Sequence, residues 1–189
     1  MSRIVIFNKP YGVISQFSPN PPHQTLKDYI DIPGVYPAGR LDTDSEGLLI
    51  LTDNGKLQAT ITDPKYQKNK TYLIQVEGIP RQVQLDNLSQ GLDLGDFITA
   101  PALVKQVMEP DWLWERVPPV RYRKTVPTSW LELTIHEGKN RQVRRMTAKV
   151  GLPTLRLVRI AVGGISLGDL LPGQWYEPKR VDFMKDLQK

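Results

Sequence analysis

Trp130-Leu131-Glu132-Leu133-Thr134-Ile135-His136, then Glu137-Gly138-Lys139-Asn140, then Arg141-Gln142-Val143-Arg144-Arg145-Met146-Thr147-Ala148-Lys149 spell a strand, a turn and a helix in twenty consecutive residues. Leu131, Leu133 and Ile135 alternate with polar neighbours, the period of a half-buried strand. Gly138 turns the chain, Asn140 has the side chain of a helix N-cap, and Gly151 with Pro153 two residues beyond ends the helix. On that helix Val143, Met146 and Val150 form one stripe, while Arg141, Arg144, Arg145 and Lys149 lie toward the other side.

Outward from this unit the same alternation of short elements continues. Leu155 to Ile160 restarts a strand, and Pro172-Gly173 turns the chain ahead of a polar C-terminus. Toward the N-terminus, Glu109 to Pro127 holds four prolines, Trp112, Trp114, Tyr122 and four basic residues, which reads as a loop or long hairpin. Pro80 through Leu88, closed by Gly91, outlines a helix; Thr71 to Glu77 is a strand; Lys56 to Thr62 is a short helix with Leu57 and Ile61 inward. The continuous run Leu48-Leu49-Ile50-Leu51 is a buried strand, Thr25 to Ile30 a short helix and Arg3 to Phe7 a first strand. Strands mixed with short helices predict an α+β fold with a largely antiparallel central sheet flanked by short helices and loops.

A chain of 189 residues supports one domain, 1–189, or two lobes of about 1–62 and 63–189 around one cleft. It has no cysteine and only two histidines, His23 and His136, far apart in sequence. Disulfides, thiolate metal sites and cysteine nucleophiles are excluded, and a metal site is not expected. The apolar run at Ile4 to Phe7 is too short for a signal peptide or a membrane span, so a cytoplasmic protein is expected.

The net charge of +5 is unevenly placed: residues 1–100 sum to −2 and residues 101–189 to +7. From Arg116 to Arg159 eleven bases face only Glu132 and Glu137. Eight of those bases are arginines, which fork phosphate and stack on bases, so a nucleic-acid partner is expected over a membrane. Charge alone supports only a binding module, or a basic face that binds nothing specific.

A reacting group is sought in Gly39-Arg40-Leu41-Asp42-Thr43-Asp44-Ser45-Glu46-Gly47, where three carboxylates alternate between two glycines just before the buried Leu48 run. A carboxylate at the mouth of a core strand is held rigidly in a partly dry setting. A polar turn capping its own backbone has the same composition, and paired carboxylates also serve glycosidases. Basic surroundings keep a carboxylate ionised, which suits a nucleophile better than a general acid.

Gly39-Arg40-Leu41-Asp42 with Ser45-Glu46-Gly47-Leu48-Leu49-Ile50-Leu51-Thr52 and Asn54-Gly55 resembles the catalytic-aspartate motif of bacterial ribosomal pseudouridine synthases of the small-subunit synthase A type. Lys70-Thr71-Tyr72 resembles their tyrosine motif and Glu137 through Met146 their arginine motif, in the same order and spacing, with Phe7-Asn8-Lys9-Pro10-Tyr11-Gly12 matching at the start. Asp53-Asn54 departs from the family, where many members have the two reversed. The resemblance implies the pseudouridine synthase fold and isomerisation of a flipped-out uridine to pseudouridine. Asp42 would be the nucleophile, or the base of a glycal route. Arg144 would pair with Asp42 and keep it ionised, Tyr72 would stack on the base and help remove the C5 proton, and Leu155 would support the ring.

Arg40, Arg141 and Arg145 are expected to grip phosphates beside Leu41, offsetting the cost of unstacking, roughly a few kcal/mol. No metal or cofactor is implied. Many relatives carry an RNA-binding domain in front; this chain leaves no room for one, and with the Trp112–Trp114 loop and Pro127-Thr128-Ser129-Trp130 it resembles members acting on the large ribosomal subunit. The expected partner is therefore 23S rRNA, free or in an assembly intermediate, met by a monomer. A catalytically silent rRNA-binding or ribosome-assembly factor on the same fold is the alternative, and joint retention of Asp42, Tyr72 and Arg144 speaks for the enzyme.

Overall fold

In the computed structural model, which describes residues 2–189, short elements alternate along the chain. They are β1 (Ile4–Lys9), a 3-10 turn (Leu26–Asp28), β2 (Tyr36–Pro37), β3 (Glu46–Thr52), α1 (Gly55–Thr62), a second 3-10 turn (Pro64–Tyr66), β4 (Lys70–Glu77), α2 (Gln82–Gln90), β5 (Leu103–Val107), β6 (Thr128–Ile135), α3 (Gln142–Lys149), β7 (Thr154–Val162), β8 (Ile165–Ser166), β9 (Trp175–Tyr176) and α4 (Arg180–Leu187). The fold is α+β, with largely antiparallel strands. The chain divides into two units, one of Met1–Lys68 with Arg159–Lys189, the other of Asn69–Val158.

In the first unit β1 pairs antiparallel with β3 from Ile4 opposite Thr52 to Lys9 opposite Gly47, and β9 and β2 add short pairings. Every residue of β1 and β3 is buried, the signature of strands covered on both faces, and it explains why Leu48 to Leu51 lacks alternation. Val5, Phe7, Leu49 and Leu51 pack with Leu26, Ile30, Val35 and Leu41 on one side. The Asn54 side chain accepts from the Leu57 amide at 3.0 Å and starts α1, which buries Leu57 and Ile61.

In the second unit β4 and β6 pair antiparallel over eight residues, Lys70 opposite Ile135 through Glu77 opposite Thr128, and β5 lines the outer side of β6. Tyr72, Ile74 and Val76 of β4 share a core with Leu131, Leu133 and Ile135 of β6 and with Val143 and Met146 of α3. The predicted stripe of α3 is thus the one that packs. Gly151, at φ 80°, closes that helix: its amide donates to the Ala148 carbonyl and the Leu152 amide to Thr147, a left-handed cap that strains any residue with a Cβ.

Several local expectations are corrected. Asn140 does not cap α3; the helix is entered through Arg141 in the left-handed region, φ 50°. Gln142 does the bonding instead, its Oε1 accepting from the Lys139 amide at 3.2 Å and its Nε2 donating to Glu137 Oε2 at 2.6 Å. The helix expected over Thr25 to Ile30 is a single 3-10 turn, and the polar C-terminus holds α4, whose Phe183 and Leu187 are buried four residues apart. Arg156 and Arg159, counted into the basic stretch, are buried. Arg156 donates to the Trp114 carbonyl at 2.9 Å and Arg159 Nε to the Leu48 carbonyl at 2.8 Å, so both guanidiniums serve the fold.

Candidate active site

Asp42 lies in the segment that leads from β2 into β3, immediately before the turn at Thr43-Asp44. Its carbonyl accepts from the Ser45 amide at 3.0 Å, which closes the turn. The residues on either side of it are tied to the chain that follows β1. The buried Ser15 hydroxyl accepts from the Leu41 amide at 3.2 Å and donates to the Leu41 carbonyl at 2.7 Å. On the other side the Gly12 amide donates to the Thr43 carbonyl at 2.8 Å. Leu41 is buried, whereas Arg40 and Asp42 are exposed. The carboxylate expected to be partly dry is therefore open to solvent on a backbone held at both neighbours.

The segment that does the holding is itself fixed by Lys9. That side chain is fully buried, and its Nζ donates to the Pro10 carbonyl at 2.8 Å and the Val13 carbonyl at 2.7 Å. Burial pushes its ammonium down to about 7, against the Glu46, Asp44 and Asp42 carboxylates, which favour the charged form.

Tyr72 sits on β4 with 8% of its surface exposed, and Arg144 and Arg145 are half-buried on α3. One core joins them, since Val143 and Met146 pack on the same cluster as the Tyr72 ring. Arg141 is exposed at the head of α3, and Leu155 is half-buried on β7. Arg145 is committed within its own unit. It forks the Asp96 carboxylate, donates to the Leu94 carbonyl at 3.2 Å and lies 5.3 Å from the Phe97 ring centre. Asp96 is held below the usual carboxylate range by that guanidinium. Among the described residues no group of three or more His, Asp or Glu side chains is placed to hold a metal ion.

Residues 3–149 match the RNA pseudouridylate synthase family. The chain belongs to that family. It is 55% identical over 175 residues to the ribosomal large subunit pseudouridine synthase E of Vibrio vulnificus, covering 93% of this chain and 74% of that one. It is 58% identical over 174 residues to the protein of the same name in Xanthomonas campestris pv. campestris, covering 91% and 93%. A crystal structure of a pseudouridylate synthase superposes with a TM-score of 0.80 at 27% identity, covering 99% of this chain and 74% of that one.

Several residues that set this geometry in the synthase gave no signal in the sequence. Ser15 is one small polar residue after an apolar pair. Gln142 and Glu137 fall inside the arginine motif, yet only the fold shows that they set the entry to α3, with Glu137 Oε2 also accepting from the Ala100 amide at 3.0 Å. The basic charge that remains exposed in the second unit is at Arg81, Lys105, Arg121, Arg123, Lys124, Lys139, Arg141 and Lys149, with Arg123 forking Glu77 and Lys105 pairing with Glu132.

The buried Lys9 of this synthase makes a pH prediction. Between about 7 and its ordinary value of 10.5 the unfolded chain keeps a proton that the folded chain has released, so stability rises with pH through that window. The slope from one such group reaches about 1.4 kcal/mol per pH unit. Urea unfolding of the wild type and Lys9→Met from pH 7 to pH 10 is expected to show a flatter rise in the variant. Parallel curves would mean that Lys9 keeps an ordinary pKa.

Proposed function

We propose that this pseudouridine synthase isomerises a uridine of large-subunit ribosomal RNA, with Asp42 as the nucleophile. In the reaction Asp42 bonds to C1′ as the N1–C1′ bond breaks, the uracil rotates, a C5–C1′ bond forms as the Asp42–C1′ bond breaks, the C5 proton leaves to a base and N1 gains a proton. No atom is added or lost. The observation that carries the reading is the Gly39-Arg40-Leu41-Asp42 motif folded into an exposed carboxylate on a backbone held at Leu41 and Thr43. An everted nucleoside can reach such a carboxylate without prior opening of the loop. The choice of RNA is supported by the printed names of relatives at 55% and 58% identity, which are large-subunit synthases.

In this reading Arg144 pairs with Asp42, Tyr72 stacks on the uracil and helps remove the C5 proton, and Leu155 with Leu41 supports the ring and ribose. Arg40 and Arg141 hold phosphates. Arg145 acts through the Asp96 and Phe97 loop, and reaches phosphate only where RNA displaces Asp96. The chain acts as a monomeric catalytic domain in the cytoplasm, where ribosomal RNA is made.

Arg141→Ala, which removes an exposed guanidinium, is expected to lower the salt slope of RNA binding by about 1. Filter binding across a salt series measures it, and an unchanged slope would return Arg141 to a solvated face. The function itself is tested by incubating the purified chain with transcripts of 23S and 16S rRNA, then mapping pseudouridine by carbodiimide-blocked primer extension. One enzyme-dependent stop on 23S RNA is expected. Binding of the 23S transcript with no stop would establish the silent binding factor instead.

A further inference from the structure

Resting on the assignment of Asp42 as nucleophile, we propose that Ser15 is a positioning residue for that carboxylate. A single hydroxyl takes both polar groups of the Leu41 main chain, as acceptor from the amide at 3.2 Å and as donor to the carbonyl at 2.7 Å. Both bonds are buried and join residues 26 apart in sequence. Ser15 and Leu41 are 3% and 6% exposed, so water does not replace the hydroxyl there. Leu41 is bonded directly to Asp42, and the bond from Gly12 to Thr43 fixes the following residue.

The main chain on either side of Asp42 is thus held by one segment, Gly12 to Ser15. Removing the Ser15 hydroxyl leaves Asp42 chemically intact but loosens its main chain on the Leu41 side. A displacement on the order of 1 Å at a reacting group lowers the rate about 10²-fold. Ser15 is itself buried and presents no surface to RNA, so an effect on rate is separable from one on affinity.

The test compares wild type, Ser15→Ala, Ser15→Cys and Asp42→Asn in single-turnover isomerisation and in RNA binding. Ser15→Ala is expected to slow the saturated rate by about 10- to 100-fold, with the Kd for RNA within about 2-fold. Ser15→Cys, whose sulfur is a weak donor and acceptor, is expected to fall between the two. It also serves as the folded variant should Ser15→Ala not fold. A wild-type rate in Ser15→Ala, or in Ser15→Cys where only that variant folds, beside an inactive Asp42→Asn overturns the positioning role and leaves the nucleophile standing. Full activity in Asp42→Asn overturns the nucleophile itself. Parallel losses of rate and RNA affinity in the Ser15 variants would show general damage to the fold, and overturn the proposal too.

Discussion

Asp42→Asn is expected to abolish isomerisation, with a loss of at least about 10⁴-fold, the scale on which removal of a nucleophile is felt. RNA affinity is expected to stay within a few-fold. The asymmetry follows from position. Asp42 is exposed on a turn whose neighbours, Leu41 and Thr43, are held by main-chain contacts that an amide leaves intact. The substitution therefore removes a negative charge and a lone pair without opening the loop. It also removes one carboxylate that opposes the loss of charge at Lys9, so the Lys9 ammonium is expected to titrate lower in the variant. Single-turnover conversion and filter binding on the same RNA measure the two quantities. Turnover within about 10-fold of wild type would remove Asp42 from the chemistry.

Arg144→Met is expected to lower kcat/KM by about 10²- to 10³-fold, the range seen when one charge-stabilising donor is lost from a site. In the proposed reading Arg144 acts once a nucleoside covers Asp42: taking a carboxylate out of water disfavours its charged form, and a guanidinium beside it offsets that cost. The acid limb of kcat is expected to move up in pH in Arg144→Met if the guanidinium acts on the carboxylate in the complex. Arg144→Lys, keeping charge without the fork, is expected to lie between. A rate loss with no movement of the acid limb would assign Arg144 to holding α3 rather than to Asp42.

What the sequence made legible was local. Leu57 and Ile61, four residues apart, announced α1, and both are buried on it, while the Asn54 cap that starts the helix gave no separate signal. Gly151 behind Lys149 announced the end of α3, and its left-handed φ bears that out. The three motifs were readable because each is contiguous. What stayed hidden depends on partners distant in the chain. Arg159 looks like surface charge until the Leu48 carbonyl, 111 residues earlier, is found to accept from it. β5 carries Leu103 at 74% exposure and pairs by its backbone with β6, so no hydrophobic period marks it. Asn140 had the right side chain for a cap, but the chain bends at Arg141 and Gln142 reaches back to Lys139 and Glu137 instead. Asp42 is exposed where its place ahead of a core strand suggests a partly dry setting, because burial begins only at Ser45 and Glu46.

The measurement nearest the central claim is release of tritium from 23S rRNA labelled at C5 of uridine, since forming the C5–C1′ bond expels that hydrogen. Wild type is expected to release tritium up to one equivalent per modified site, and Asp42→Asn none above background. Equal release from both proteins, or none from wild type on RNA that it binds, would contradict an aspartate-driven isomerisation by this chain.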